Sequence, residues 1–154
     1  MEDQPFTPRC LSIDLEVGVR DSRIYRFAAV RGDTGQSFEY HKGDLSTALS
    51  RLDEIAQGAS FLLGHNLIAF DLIHLAAANP ALRLLKLPTV DTLRLNPLAF
   101  PRNPYHHLVK HYQDGRLTYG QRNNPESDAR LTLELFRDQD KAFRIFHETA
   151  PELV

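Results

Sequence analysis

The stretch CLSIDLEV, residues 10–17, decides the fold of this chain. Its apolar residues alternate with polar ones, which predicts a β-strand of about residues 9–17 with Ile13, Leu15 and Val17 on one face. Asp14 and Glu16 stand two positions apart, so both carboxylates point to the other face. Burying a carboxylate in an apolar strand is costly unless a partner compensates, and a metal ion is a common partner. The strand therefore predicts both a central sheet position and a cation site. Taken alone, Asp-x-Glu also fits a solvent-facing edge strand.

The residues after this strand predict an antiparallel meander followed by alternating helices and strands. Two further strands are indicated at residues 23–30 and 36–40, separated by the turn signal GDTG. Apolar residues at helical spacing then predict a helix from Asp44 or Ser46 to Gly58, and the wholly apolar run 60–64 predicts a buried strand. This order indicates an α/β fold, a mixed sheet with helices on both sides.

The second half of the chain is predicted to be mainly helical. A helix is expected at about residues 69–78, followed by a short strand or helix start at 88–93. Pro97, Pro101 and Pro104 predict a loop, residues 105–113 a helix, and Pro125 the first turn of a last helix that continues towards His147. We expect residues 1–154 to form one domain, with a core at about 9–147.

Two more acidic residues stand where burial should disfavour them. Asp71 lies near the start of a helix that follows an apolar strand, and Asp128 lies just before an apolar helical pattern. Each could simply be an acid near a helix N-terminus, where it interacts well with the helix dipole. Together with the first strand, they predict one polynuclear metal site formed by Asp14, Glu16, Asp71 and Asp128.

The residue types favour hard divalent cations. Carboxylate oxygens suit Mg²⁺ or Mn²⁺, and a pair of such ions suits phosphodiester hydrolysis. A zinc site is disfavoured, because the seven histidines lack a His-Glu-x-x-His pattern and there is one cysteine. The sequence contains neither a phosphate-binding Gly-rich loop with Lys nor a Gly-x-Ser-x-Gly elbow.

Charge and composition indicate a cytoplasmic protein with a basic strip. The 154 residues carry a net charge of −2, but residues 82–122 hold seven basic and two acidic residues, or +5, against 11 basic and 18 acidic elsewhere, or −7. Such a strip attracts a polyanion, although a solvated basic loop fits equally well. One cysteine, an acidic N-terminus and the lack of a long apolar run predict a reducing, cytoplasmic location. The abrupt C-terminus fits either a natural end or a domain of something longer.

Taken in order, the motifs resemble those of the DEDD superfamily of 3′–5′ exonucleases, which have a ribonuclease-H-like fold. The sequence IDLE at 13–16 is similar to the first motif, HNLIAFD at 65–71 to the second and NPESDAR at 124–130 to the third. VDTL at 90–93 resembles a segment often found between the second and third, and Asp91 within it is expected to have a structural role, such as a helix cap. The resemblance covers about residues 11–136.

The resemblance implies a role for each matched residue. Asp14, Glu16 and Asp128 would ligate the cation that activates water, Asp14 would bridge to a second cation, and Asp71 would hold the water shell of that second ion. Asn66 and Phe70 would contact or support the terminal nucleotide. Leu15 and His65 are further substrate-binding candidates.

The chain departs from the family at the fifth catalytic residue. The family has a His five positions, or a Tyr four positions, before the last Asp, whereas this chain has Asn123 and Asn124. An amide can orient a water but cannot accept its proton. We expect Asn123 or Asn124 to position the water; the alternatives are that His106 or His107 takes this role, or that the domain has lost catalysis. His106 and His107 are also substrate-binding candidates.

The predicted function is therefore a metal-dependent 3′–5′ exonuclease that uses two divalent cations, Mg²⁺ or Mn²⁺, on the ends of single-stranded DNA or RNA. The alternative is a catalytically impaired nucleic-acid-binding or docking domain, fused to or associated with a larger DNA- or RNA-processing protein. A fold relic with neither activity is a third possibility.

Overall fold

A computed structural model of the chain describes residues 7–100 and 124–149. Its sheet contains five strands, in the spatial order β3-β2-β1-β4-β5. Their bounds are β1 Cys10–Val17, β2 Ile24–Arg31, β3 Ser37–Tyr40, β4 Phe61–Gly64 and β5 Thr89–Asp91. The first strand is central, as its alternation predicts.

The sheet mixes antiparallel and parallel pairs. β1 runs antiparallel to β2, with Asp14 opposite Ala28, and parallel to β4, with Ser12 opposite Leu63. β2 and β3 are antiparallel, and β4 and β5 are parallel. The predicted fold class, a meander extended by parallel strands and flanked by helices, is therefore confirmed. The predictions of a single domain and of its core limits stay predictions.

The helices follow the strands in chain order. Their bounds are α1 Leu45–Ile55, α2 Leu72–Ala78, α3 Thr92–Ala99 and α4 Pro125–Thr149, with a π-helical turn at Leu67–Asp71 and a 3₁₀ turn at Arg83–Lys86. None of the helices in these described ranges has the length and apolar character needed to span a membrane. Asp44 caps α1 by accepting the N–H groups of Ser46 and Thr47, as predicted.

The two faces of β1 contact different parts of the fold. Leu11, Ile13 and Leu15 pack with Leu49 and Leu52 of α1 in the main apolar core. On the other face, the Ser12 hydroxyl donates to the carbonyl oxygen of Ala129 in α4 at 2.8 Å. Since successive strand residues alternate, Asp14 and Glu16 lie on the α4 side. This arrangement brings the first turn of α4, which contains Asp128, close to β1.

Two sequence predictions about local structure need correction. The helix expected at about 69–78 is an α-helix only from Leu72, because a π-helical turn begins at Leu67 directly after Asn66, whose φ of 66° interrupts the helical path. Pro97, predicted in a loop, lies inside α3. Its missing N–H costs one helical hydrogen bond, and α3 ends two residues later. The predicted helix at 105–113, with Pro101 and Pro104, lies outside the described residues.

A buried arginine joins the meander to α1. Arg31 at the end of β2 is 8% exposed and donates to the carbonyl oxygens of Ile55 and Gln57 at 2.9 and 2.7 Å. It also forms a bidentate ion pair with Asp33, with nitrogen–oxygen distances of 2.9 and 2.8 Å. These bonds satisfy the guanidinium and hold the pKa of Asp33 down at about 2.

Candidate metal and nucleic-acid site

Asp71 is a buried acid whose carboxyl group is only partly satisfied by hydrogen bonds. It closes the π-helical turn and is only 3% exposed. The backbone N–H of Leu15 donates to its carboxyl group, whereas Oδ2 has no hydrogen-bond partner among the described residues. Burial, and next the charge of Asp14, raise the pKa of Asp71 well above its ordinary value. A buried carboxyl group with a raised pKa and an oxygen that lacks a hydrogen-bond donor is suited to binding a cation.

Asp14 is the acid that the fold brings next to Asp71. It lies in the middle of β1, half-buried, on the face towards α4. The two residues are far apart in sequence, but their charges interact in the folded chain. Two carboxylates from a central strand and an adjacent helical turn thus converge on the same edge of the sheet.

Asp128 approaches the same side of β1 from α4. It is 6% exposed and lies one residue before Ala129, whose carbonyl oxygen receives the Ser12 hydroxyl. Asn124 caps α4, since its Oδ1 accepts the N–H groups of Glu126 and Ser127 at 3.1 and 3.3 Å. The oxygen of Asn124 is therefore engaged with the helix backbone. Its predicted role in positioning water stays a prediction.

Glu16 has a different partner from the other acids. Its carboxylate is hydrogen-bonded by the hydroxyl of Tyr25, and burial together with Glu16 raises the pKa of that tyrosine. In the sheet register Glu16 lies opposite Arg26, next to an irregularity between Glu16 and Val17. A carboxylate has several acceptor positions, so Glu16 can accept from Tyr25 and still bind a cation beside Asp14.

The structure as it stands does not assemble the predicted four-carboxylate centre. Within residues 7–100 and 124–149, no three His, Cys, Asp or Glu side chains form a group that could hold a metal ion. It does bring Asp14 and Asp71 together, and the partnerless oxygen of Asp71 fits a cation. Like-charged carboxylates repel one another, which disfavours bringing the four acids together when no cation is present.

The substrate-binding candidates fall into two groups. His65 and Asn66 directly follow β4, and extending the strand register places His65 beside Asp14. Phe70 lies in the π-helical turn, with its ring 4.6 Å from that of His74. Leu15 points its side chain into the core, so only its backbone reaches the site, through Asp71. Asn123, His106 and His107 lie outside the described residues.

A second pair of acids lies near the start of α4, and the sequence analysis missed it. Glu39 of β3 and Glu126 of α4 share a hydrogen bond. This bond raises the pKa of Glu39 and lowers that of Glu126. Glu39 lies opposite Ala28, which itself lies opposite Asp14. The strand alternation at 37–40 shows which way Glu39 points, but its partner is on α4.

Comparison with solved structures supports the fold. The chain is similar to the zinc-ion-bound crystal structure of an E. coli ExoI complex with single-stranded DNA, with a TM-score of 0.65 and 15% sequence identity. The match covers 94% of this chain but only 41% of the E. coli chain. No family model matches the sequence, and no curated protein matches it.

Proposed function

We propose that this chain is a metal-dependent 3′–5′ exonuclease that hydrolyses terminal phosphodiesters of single-stranded DNA or RNA. The observation that carries the proposal is the buried carboxyl group of Asp71, with Oδ2 lacking a partner in the described structure and with Asp14 beside it. Such an arrangement destabilises the fold unless it serves a ligand. Similarity in shape to an exonuclease bound to single-stranded DNA supports the same activity.

The residues proposed to hold the cations are Asp14, Asp71, Asp128 and Glu16. Asp14 is central because it lies between the turn that carries Asp71 and the helix that carries Asp128. When bound, a divalent cation lowers the pKa of a coordinated water and stabilises the charge that develops on the phosphate. The chain itself contributes the fixed positions of the acids, and Asn66 and Phe70 support the terminal nucleotide.

The decisive test compares two isosteric changes, one of the buried Asp71 and one of the partly buried Asp53. Asp71→Asn removes a charge at the proposed site and keeps its shape, while Asp53→Asn does the same in α1, where Asp53 accepts the N–H groups of Arg83 and Leu84. We expect Asp71→Asn to lower the rate at which a 5′-labelled single strand is shortened, in Mg²⁺ or Mn²⁺, by about 100-fold or more. Asp53→Asn should leave that rate unchanged.

Asp14→Ala should abolish the same activity. If the Asp14→Ala protein shortens the strand as fast as the wild type, the proposed site is wrong. Preparing each variant under identical conditions, and matching their far-UV circular dichroism, separates loss of activity from loss of folding.

The second candidate function is a nucleic-acid-binding or docking module without catalysis. It is favoured by Asn124, whose side-chain oxygen is occupied by the N–H groups of Glu126 and Ser127 at the start of α4. Fluorescence anisotropy with a labelled single strand distinguishes the two functions. Binding with no turnover in Mn²⁺ would select the module.

A further inference from the structure

Asp91 at the end of β5 is a buried carboxylate that is fully used by backbone donors. It is 4% exposed. Its Oδ1 accepts the N–H of Asn66 at 2.8 Å and of Leu93 at 3.0 Å, and its Oδ2 accepts the N–H of Ile68 at 3.1 Å. The bond to Leu93 caps α3, which is the structural role that its sequence position suggests. The other two bonds reach across to the segment between β4 and Asp71.

These two bonds hold a part of the site that has an irregular backbone. Asn66 adopts a left-handed conformation with φ of 66°, and the π-helical turn that follows ends at Asp71. Left-handed and π-helical backbone is sparsely populated and persists where surrounding contacts fix it. Asp91 accepts the N–H groups of Asn66 and Ile68 and so fixes the start of the turn that ends at Asp71.

The neighbouring residue, Thr92, fixes a side chain of the same segment. Thr92 is fully buried, and its hydroxyl donates to the Gly64 carbonyl oxygen at 3.2 Å. The hydroxyl has a single proton, so the His65 Nδ1, 2.8 Å from the Thr92 oxygen, must be the donor in that second bond. The ring of His65 is therefore held with a proton on Nδ1.

A long-range bond keeps Thr92 in place. Gln139 of α4, which is fully buried, donates from Nε2 to the Thr92 carbonyl oxygen at 2.9 Å and to the Asn96 side-chain oxygen at 3.2 Å. The helix that carries Asp128 is thus tied to the dipeptide that fixes the opposite side of the site.

We propose that the dipeptide Asp91–Thr92 is the positioning element of this site, Asp91 acting on the backbone that carries Asn66 and Asp71, and Thr92 acting on the ring of His65. This proposal rests on the proposed function, which assigns metal binding to Asp71 and substrate binding to Asn66 and His65. Neither Asp91 nor Thr92 touches the substrate in it; both act through the residues they hold.

The effect of Asp91 is tested by Asp91→Asn, with Asp53→Asn as the matched control. The amide puts an NH₂ group against one of the backbone donors, so amide hydrogen exchange of Asn66 or Ile68 should accelerate about tenfold or more in the metal-free protein. The kcat for strand shortening should fall about 10- to 100-fold, because Asp71 is displaced. Asp53→Asn, which also loses a carboxylate that holds two backbone N–H groups, should change neither.

The effect of Thr92 is tested by Thr92→Val, with Thr92→Ser restoring the hydroxyl. Imidazole ¹⁵N shifts should show the Nδ1–H form of His65 in the wild type and in Thr92→Ser, and loss of that preference in Thr92→Val. The KM should rise about tenfold in Thr92→Val with kcat nearly unchanged, as expected for a weakened substrate contact.

The proposal is overturned if the wild-type ring is in the Nε2–H form, or if exchange at Asn66 and Ile68 is the same in Asp91→Asn as in the wild type. The exchange and ¹⁵N measurements need no activity. A wild-type protein that cleaves nothing yet shows both signatures would contradict the exonuclease function and leave the positioning role standing.

Discussion

Two buried charges on either side of β1 show opposite solutions to the same problem. Arg31 is buried with an ion pair and two carbonyl acceptors, and its partner Asp33 has a pKa lowered to about 2. Asp71 is buried with one backbone donor, a nearby like charge and an oxygen without a partner in the described structure, and its pKa is raised. The first arrangement stabilises the fold. The second costs stability and gains a use only when a cation is present.

The largest effect that the comparison predicts is on stability, at Arg31. Arg31→Met should lower the free energy of unfolding by about 3 kcal/mol, because Asp33, a buried carbonyl oxygen of Ile55 and a partly buried one of Gln57 lose their donor. Urea denaturation followed by circular dichroism measures the change. Arg144→Met is the control, since the Arg144–Asp140 pair on α4 is largely exposed and should contribute under about 0.5 kcal/mol. Equal losses in both variants would contradict the contrast.

The second prediction is that Asp71→Asn stabilises the metal-free protein but makes it less stable than the wild type when Mg²⁺ is present. In metal-free protein the neutral amide should raise the free energy of unfolding by about 1 kcal/mol, because it can still accept from Leu15 and no longer repels Asp14. With Mg²⁺ at about 100 times its dissociation constant, the wild type should gain about 2.7 kcal/mol and the variant much less. Thermal unfolding with and without Mg²⁺ tests both parts. A variant that is less stable without metal would show that the Asp71 carboxylate is structural.

The smallest predicted effect is the pH dependence that Asp33 contributes. Its pKa is lower in the folded chain than in the unfolded one, so its contribution is complete above the unfolded value near 4 and is lost as pH falls towards 2. Because the Asp33 side chain is 24% exposed, we expect no more than about 1 kcal/mol. Urea denaturation at pH 5 and pH 3 should show a smaller drop in Asp33→Asn than in the wild type. If the free energy of unfolding falls equally in both proteins, Asp33 does not contribute to the pH dependence of stability.

The strands were predictable because their signals are local. Alternation gave β1 its two faces and its central place, and the wholly apolar run at 60–64 gave the buried β4. The cap of α1 at Asp44 and the start of α4 at Pro125 were equally visible. Pro97 was misjudged, since a proline signal does not show that a short helix can end just beyond it.

The site was only partly predictable, because a side chain's partner can come from anywhere in the chain. The sequence identified Asp14 and Asp71 as acids in unfavourable places, and the fold brings them together. It did not show that Glu16 meets Tyr25 at an irregularity in the β1–β2 pair, or that Glu39 meets Glu126 across two elements. Asp91 could be recognised as a helix cap, but not as the residue that holds the turn before Asp71.

The sequence by itself determined the order of the elements, the faces of the central strand and the candidate acids, because each of these depends on neighbours within a few positions. Only the tertiary structure decided which acid is left with an unsatisfied oxygen, which acids take a tyrosine or a second carboxyl group as partner, and which buried residues hold the turn. Those outcomes depend on burial and distance between segments far apart in the chain, which no local pattern encodes.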